Sequence, residues 1–227
     1  MPVIAFASHK GGCGKTTITT SLAQYLRSCG HTVSILDCDA NGHASDIINF
    51  YNAARQDAPI TVFPNTDERN LYARLSEAQG NDFILLDLPG IASQLTLMAL
   101  TRAHLIIIPI QPSRMDARDG AKTAQLARAA EETIGRKIET RFLLSRWPVM
   151  QETLVAKHTK SALQSYSIGV LPTPFMDRTA FKELTYNGQS PSITDPEGNA
   201  ALNIKSIAND ILSVLSQVAR AAAASAA

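Results

Sequence analysis

The sequence predicts an α/β domain with a twisted, mostly parallel sheet flanked by helices on both faces. Three observations predict it. Short apolar runs alternate with longer amphipathic stretches along the 227 residues. The runs are near-continuous, without the in-out alternation of a half-solvated sheet, as expected where helices cover both faces. A composition of 45% apolar and 18% charged residues supplies core for an ordinary globular domain. At roughly 150 residues per domain, an α/β chain of this length resolves as one domain. It is expected over residues 1–220, with 221–227 (AAAASAA) as a frayed tail.

In chain order, strands are expected over residues 3–7, 33–36, 60–63, 83–87, 105–109, 141–144 and 168–171. Helices are expected over 16–28, 44–54, 68–79, 94–102, 117–134, 153–164 and 199–218, where apolar residues recur at helical spacing. Segments 172–177 and 187–198 read as loops by their Pro, Gly, Asn and Asp content.

The longest apolar runs, near 83–86 and 105–110, fall short of the ~20 residues of a membrane span. Met1 leads into a strand without a basic leader, so the expectation is a soluble cytoplasmic protein. Three cysteines, Cys13, Cys29 and Cys38, lack metal-ligand spacing and fit reduced thiols. The net charge of +1 conceals a gradient. Residues 1–100 hold 6 basic and 9 acidic side chains, a balance of −3, whereas 102–182 hold 13 basic and 7 acidic, a balance of +6. A polyanion would be met by the second half.

The first apolar run enters Ser8-His9-Lys10-Gly11-Gly12-Cys13-Gly14-Lys15-Thr16-Thr17 and then a helix. Glycines let successive N–H groups turn inward onto phosphate oxygens, and the helix offers its positive N-terminus to the same anion. Residues 10–17 are therefore the candidate ATP cradle, with Lys15 reaching the β/γ-phosphates and the Thr16 hydroxyl on Mg²⁺. The general pattern asks for Gly at position 9, where His9 stands, and a second lysine, Lys10, precedes the double glycine.

The stretch K-G-G-x-G-K-T-T resembles the deviant Walker A motif of the ParA/MinD family of P-loop ATPases. The resemblance implies a single-domain P-loop NTPase with ATP and Mg²⁺ as cofactors. It also implies that Lys10 crosses a homodimer interface to the partner's ATP phosphates, where a cation would neutralise transition-state charge. Lys10, Lys15 and Asp39 become the candidate catalytic residues. The segment Asp37-Cys-Asp39-Ala40-Asn41 resembles the family's D-x-D-P-Q switch, with Ala40 and Asn41 replacing Pro and Gln. It implies that Asp39 orients the attacking water and Asp37 supports the metal shell, while the other reading of Asp39 is a helix cap. The run Phe83-Ile-Leu-Leu-Asp87-Leu-Pro-Gly90 resembles Walker B with switch II, with Asp87 on the metal side. Thr16, Asp37 and Asp87 are thus the candidate metal residues.

The resemblance continues through Pro109-Ile-Gln-Pro112-Ser113 with Asp116 and Gly120, and through Arg178-Thr-Ala-Phe181-Lys182-Glu183, so it spans nearly the whole chain. By analogy, loop residues 171–173, with Pro172 and Thr173, make adenine-side contacts. The short lead before the loop leaves no room for an N-terminal helix-turn-helix domain. A MinD-like protein carries a basic amphipathic helix for membranes. Residues 211–227 hold one basic residue and no aromatic, and Leu202, Ile207, Ile211, Leu215 and Val218 read as a core stripe, so no membrane partner is expected.

A ParA-like protein binds DNA without sequence preference through Lys and Arg on its ATP-bound dimer. Lys157 and Lys160, with His158 beside them, and Arg178 and Lys182 are the candidates. The implied partners are a second copy, non-specific DNA and a ParB-like centromere- or cargo-binding protein that stimulates hydrolysis. The expected place is the nucleoid in the ATP state. Related alternatives are an ATPase positioning a protein machine or conjugative DNA, or a metabolic amidoligase or synthetase. An iron protein would need later cysteines, and none lies beyond Cys38.

Overall fold

The computed structural model describes residues 1–226; the last residue of the expected tail, at 227, lies outside the described residues. Sixteen elements follow in order among them. They begin β1 (Val3–Phe6), α1 (Lys15–Ser28), β2 (Val33–Asp37), α2 (His43–Ala54), β3 (Thr61–Phe63), α3 (Leu71–Glu77), β4 (Phe83–Asp87) and α4 (Gln94–Leu100). They continue with β5 (Leu105–Ile110), α5 (Arg114–Ile134), β6 (Glu139–Leu144), α6 (Leu154–Gln164), β7 (Gly169–Val170), α7 (Ala180–Asn187), α8 (Pro191–Thr194) and α9 (Asn199–Ala226).

The seven strands form one sheet in the order β3-β2-β4-β1-β5-β6-β7. Every pairing in it is parallel, so the expected mostly parallel sheet is wholly so. β1 is central and fully buried. Its alternate side chains feed two cores: Val3 and Ala5 meet α3, α4, α5 and α6, whereas Ile4 and Phe6 meet α1, α2, α7 and α9. Burial on both faces explains why the strands read as continuous apolar runs.

The sequence reading departs from the structure in three places. The segment 187–198, read as a loop, contains α8, and α7 lies just before it where no element was expected. Pro191 opens α8 at a position where its missing N–H costs nothing. The expected stripe on α9 holds at Ile207 and Ile211, with Leu215 packed against the same core, but Leu202 is 46% exposed, and Ile204, Ala208 and Val214 are buried as well. α9 also continues beyond residue 218, through Ala226, as alanine has the highest helix propensity. Among the described residues no helix is long and apolar enough to cross a membrane.

Candidate nucleotide-binding site

In a parallel sheet with a strand order that reverses beside β1, the carboxyl edge opens a crevice, and ligands collect there. The loop 7–14 lies at this edge. Gly12 (φ 77°) and Gly14 (φ 94°) take left-handed backbone angles that side chains resist. Gly14 is the N-cap of α1, and among the described residues no side chain caps that helix. The first amides of α1 are therefore available to an anion.

The loop is held from outside. The Ser145 hydroxyl donates to Cys13 O at 2.6 Å, and the Gln111 amide donates to Gly12 O at 2.7 Å. Cys13 is 1% exposed, so its backbone serves the loop while its thiol faces inward. Lys15 is 6% exposed, with Nζ 3.4 Å from Lys10 O, inside the cradle. Lys10 is placed differently. Its ammonium leaves the cradle and pairs with Asp116 Oδ1 on α5 at 2.5 Å. Thr17 and Gly14 border a cavity of about 260 Å³ at the loop's far end.

Register brings the carboxylates together, since Asp37 is the direct neighbour of Asp87 across β2 and β4. Asp87 is buried; its Oδ2 accepts the Thr16 hydroxyl at 2.7 Å, while its Oδ1 has no partner among the described residues. Burial pushes its carboxyl up to about 7, helped by the charges of Asp37 and Asp39 and opposed by Thr16 and Lys15. Asp37 is also buried, but its Oδ2 accepts both the backbone N–H and the hydroxyl of Ser45, and its Oδ1 accepts Asp39 N–H at 3.3 Å. It fastens α2 to the end of β2, and Asp87 is the carboxylate with an open oxygen. An orphaned carboxylate oxygen beside a threonine hydroxyl fits a hard divalent cation.

Asp39 is half-buried, and its Oδ1 accepts both the backbone N–H and the side-chain amide of Asn41. Asn41, standing where the resemblance has Gln, thus holds Asp39 in a local turn. Gly42, not Asp39, is the N-cap of α2. On the other side, a Cβ at Gly90 would lie 2.7 Å from Gly11 N and 2.9 Å from Lys10 C. The turn after β4 therefore rests on the loop backbone. Gly90→Ala is expected to push residues 10–11 out of place and weaken ATP binding by at least ~10-fold with little change in Tm, measured by fluorescent-nucleotide titration.

The two residues expected on the adenine side have protein partners of their own. Thr173 N–H donates to Asp210 Oδ2, and Pro172 lines a groove against α9 with Asp210 and Val214. Neither borders Gly14. The cavity beside Gly14 and Thr17 is lined instead by Arg146, Phe175, Met176, Asp177 and Arg178. The four cations read as one cluster fall in two pairs joined through Trp147, whose backbone hydrogen-bonds Phe175 and Asp177. Lys157 and Lys160 lie on α6, where Lys160 pairs with Glu152 at 2.6 Å and stacks 5.4 Å over Trp147. Arg178 and Lys182 border the cavity beside Gly14, with Lys182 3.5 Å from Asp177. Of the residues missed, Gln111 and Asp116 stood in a quoted motif without a role; Ser145 and Arg146 carried no signal, because only the fold brings them to residues 13–14.

Loop and fold together place the protein among the P-loop nucleoside triphosphatases, whose backbone cradles hold phosphate. Residues 4–221 match the family model described as the CobQ/CobB/MinD/ParA nucleotide binding domain, and the chain belongs to that family of nucleotide-hydrolysing ATPases. It is 30% identical to Protein ParA of Rhizobium radiobacter over 90% of this chain and 92% of that one. It is 25% identical to maintenance of carboxysome distribution protein A of Halothiobacillus neapolitanus, over 92% and 95% of the two chains. Its fold matches a McdA variant from Cyanothece solved as an ATP complex, with a TM-score of 0.74 at 14% identity, over 93% of this chain and 96% of that one.

Proposed function

We propose that the protein is a ParA-type ATPase that binds Mg²⁺-ATP, dimerises on it, coats DNA without sequence preference and moves a cargo whose adaptor stimulates hydrolysis. The observation that carries this reading is the division of labour between two lysines. Lys15 lies inside the cradle, whereas Lys10 reaches outward from the same loop and remains 41% exposed. A cation outside its own cradle suits phosphates held by another copy.

In this reading the loop amides and Lys15 hold the phosphates, and the 260 Å³ cavity by Arg146 and Arg178 takes the base. Thr16 and Asp87 would hold Mg²⁺, which supplies charge neutralisation at the β/γ-oxygens. Asp39, released from Asn41, orients the attacking water, and Asp37 keeps the segment in place. Of the relatives that match over most of their length, one is named ParA and another is named for carboxysome distribution. The adaptor, a ParB-like protein in the partition case, would therefore set what is moved. The protein would work in the cytoplasm and on the nucleoid.

The test is binding to random-sequence duplex DNA with ATP, with ADP and without nucleotide, using Asp39→Ala to hold the ATP state. Binding should require ATP and fall steeply between 50 and 200 mM salt, by roughly 10³-fold for about six phosphate contacts. Lys157→Glu should weaken it for every sequence alike. Absence of binding in all nucleotide states would overturn the DNA part of the reading.

A further inference from the structure

Asp116 lies in the first turn of α5 with 3% of its side chain exposed. It does not cap its helix, because the Ser113 hydroxyl accepts the N–H groups of Met115 and Asp116. The donor that the structure gives its carboxylate is the Lys10 ammonium at 2.5 Å, across 106 residues of sequence. A carboxylate so deeply buried requires a cation or several donors. His9 is docked on the same helix, with its backbone N–H and ring Nδ1 each 3.1 Å from Thr123 Oγ1. Residues 9 and 10 are therefore laid along α5 at positions seven apart, which fall on one face.

We propose that Asp116 is a resting anchor for Lys10 and sets how much ATP is needed before two copies associate. The inference rests on the reading above, in which Lys10 serves phosphates held by a second copy. One ammonium cannot remain on Asp116 Oδ1 and also cross to those phosphates. The two anions compete for it, and a triphosphate, with its extra charge, competes better than a diphosphate. The anchor thereby raises the nucleotide threshold for association and sharpens the choice of ATP over ADP. Departure of Lys10 also leaves a buried carboxylate without its cation, so the first turn of α5 must admit water or another donor. The nucleotide state is transmitted to that helix by the same event.

Asp116→Asn keeps the shape of the side chain and removes the charge that holds Lys10. Dimer formation, followed by light scattering with a non-hydrolysable ATP analogue, should need roughly tenfold less nucleotide. ADP, which leaves the parent monomeric, should support dimers of the variant. Asp116→Ala serves the same purpose if the amide does not fit. A merely structural Asp116 would change Tm without changing this discrimination. Independently, Lys10→Gln should lower the Tm of the nucleotide-free protein by leaving Asp116 unpaired, and adding Asp116→Asn should restore it.

If the parent dimerises with the analogue but Asp116→Asn keeps the same threshold and stays monomeric in ADP, the anchor alone is overturned. If Asp116→Asn loses dimers at unchanged Tm, Asp116 guides Lys10 instead of restraining it, and the proposal also falls. A parent that binds the analogue yet remains monomeric overturns the dimer reading and the anchor with it, an outcome visible in the parent itself.

Discussion

Lys15→Gln should lower affinity for Mg²⁺-ATP by about 100-fold while leaving the folded chain about as stable as before. Lys15 is 6% exposed, and its hydrogen bond is to a carbonyl, Lys10 O, at 3.4 Å. Without an anion it is a cation withdrawn from water with one long hydrogen bond and the nearby charge of Asp87 in return, a position that a neutral glutamine fills at little cost. With ATP it supplies a charge-assisted bond to a phosphate in a site that excludes water, and such bonds contribute about 1.5–3 kcal/mol each. Affinity falls while stability holds. Calorimetric titration paired with thermal unfolding therefore separates this residue from one that merely supports the loop, for which affinity and Tm would fall together.

The second large effect concerns Asp87 and pH. Its carboxyl is raised to about 7 from an ordinary value near 3.8, chiefly by burial. A group with a raised folded-state value binds more protons in the native than in the unfolded chain between those limits. Its contribution to the stability of the metal-free protein is thus present below about pH 4 and lost as pH rises through about 7. Asp87→Asn should consequently raise the Tm of the metal-free protein at pH 8, by a few kcal/mol in stability terms, and the gain should shrink steadily as pH falls and vanish near pH 4. The same proton competes with a metal, so Mg²⁺-dependent nucleotide affinity of the parent should climb from pH 6 to pH 8. In Asp87→Asn that climb should be absent and the magnesium dependence largely lost. A flat pH profile in the parent would mean that the unpartnered Oδ1 is not the metal's oxygen.

Much of this site was legible in the amino acids because its central parts are local. The strand-loop-helix of residues 3–28 and the buried run ending in Asp87 each carry their geometry within a few residues. Periodicity was less informative at the ends of helices. Gly188 and Pro191 read as loop punctuation, yet the first closes α7 and the second opens α8. In α9 the stripe holds at Ile207 and Ile211 but fails at Leu202, which looks like core although Ile204 and Ala208 are the residues packed with α1 and the sheet. What sequence spacing could not reveal at all were contacts between distant segments. Lys10 with Asp116, Ser145 with Cys13, and Arg146 beside Gly14 are set by the adjacency of β1, β5 and β6. Nor could spacing reveal that the chain runs on from Pro172 and Thr173 to Phe175, whose N–H and C=O pair with Leu144 and Trp147 and carry 175–178 to the loop.

The central position of β1 has a consequence for how the protein is made. Of the seven strands β1 leaves the ribosome first, but its neighbours are β4, with Val3 beside Ile84, and β5, with Ile4 beside Leu105. The glycine loop that follows it therefore has no framework until some eighty further residues have been translated, a delay of roughly 4–16 s at about 5–20 residues per second. During that interval the N-terminal segment is an apolar strand with both hydrogen-bonding edges open, the kind of segment that pairs with the wrong neighbour. Capacity to retain nucleotide is then acquired abruptly, when β4 docks, and nucleotide retention by arrested nascent chains of increasing length would report the moment at which the sheet closes around its middle strand.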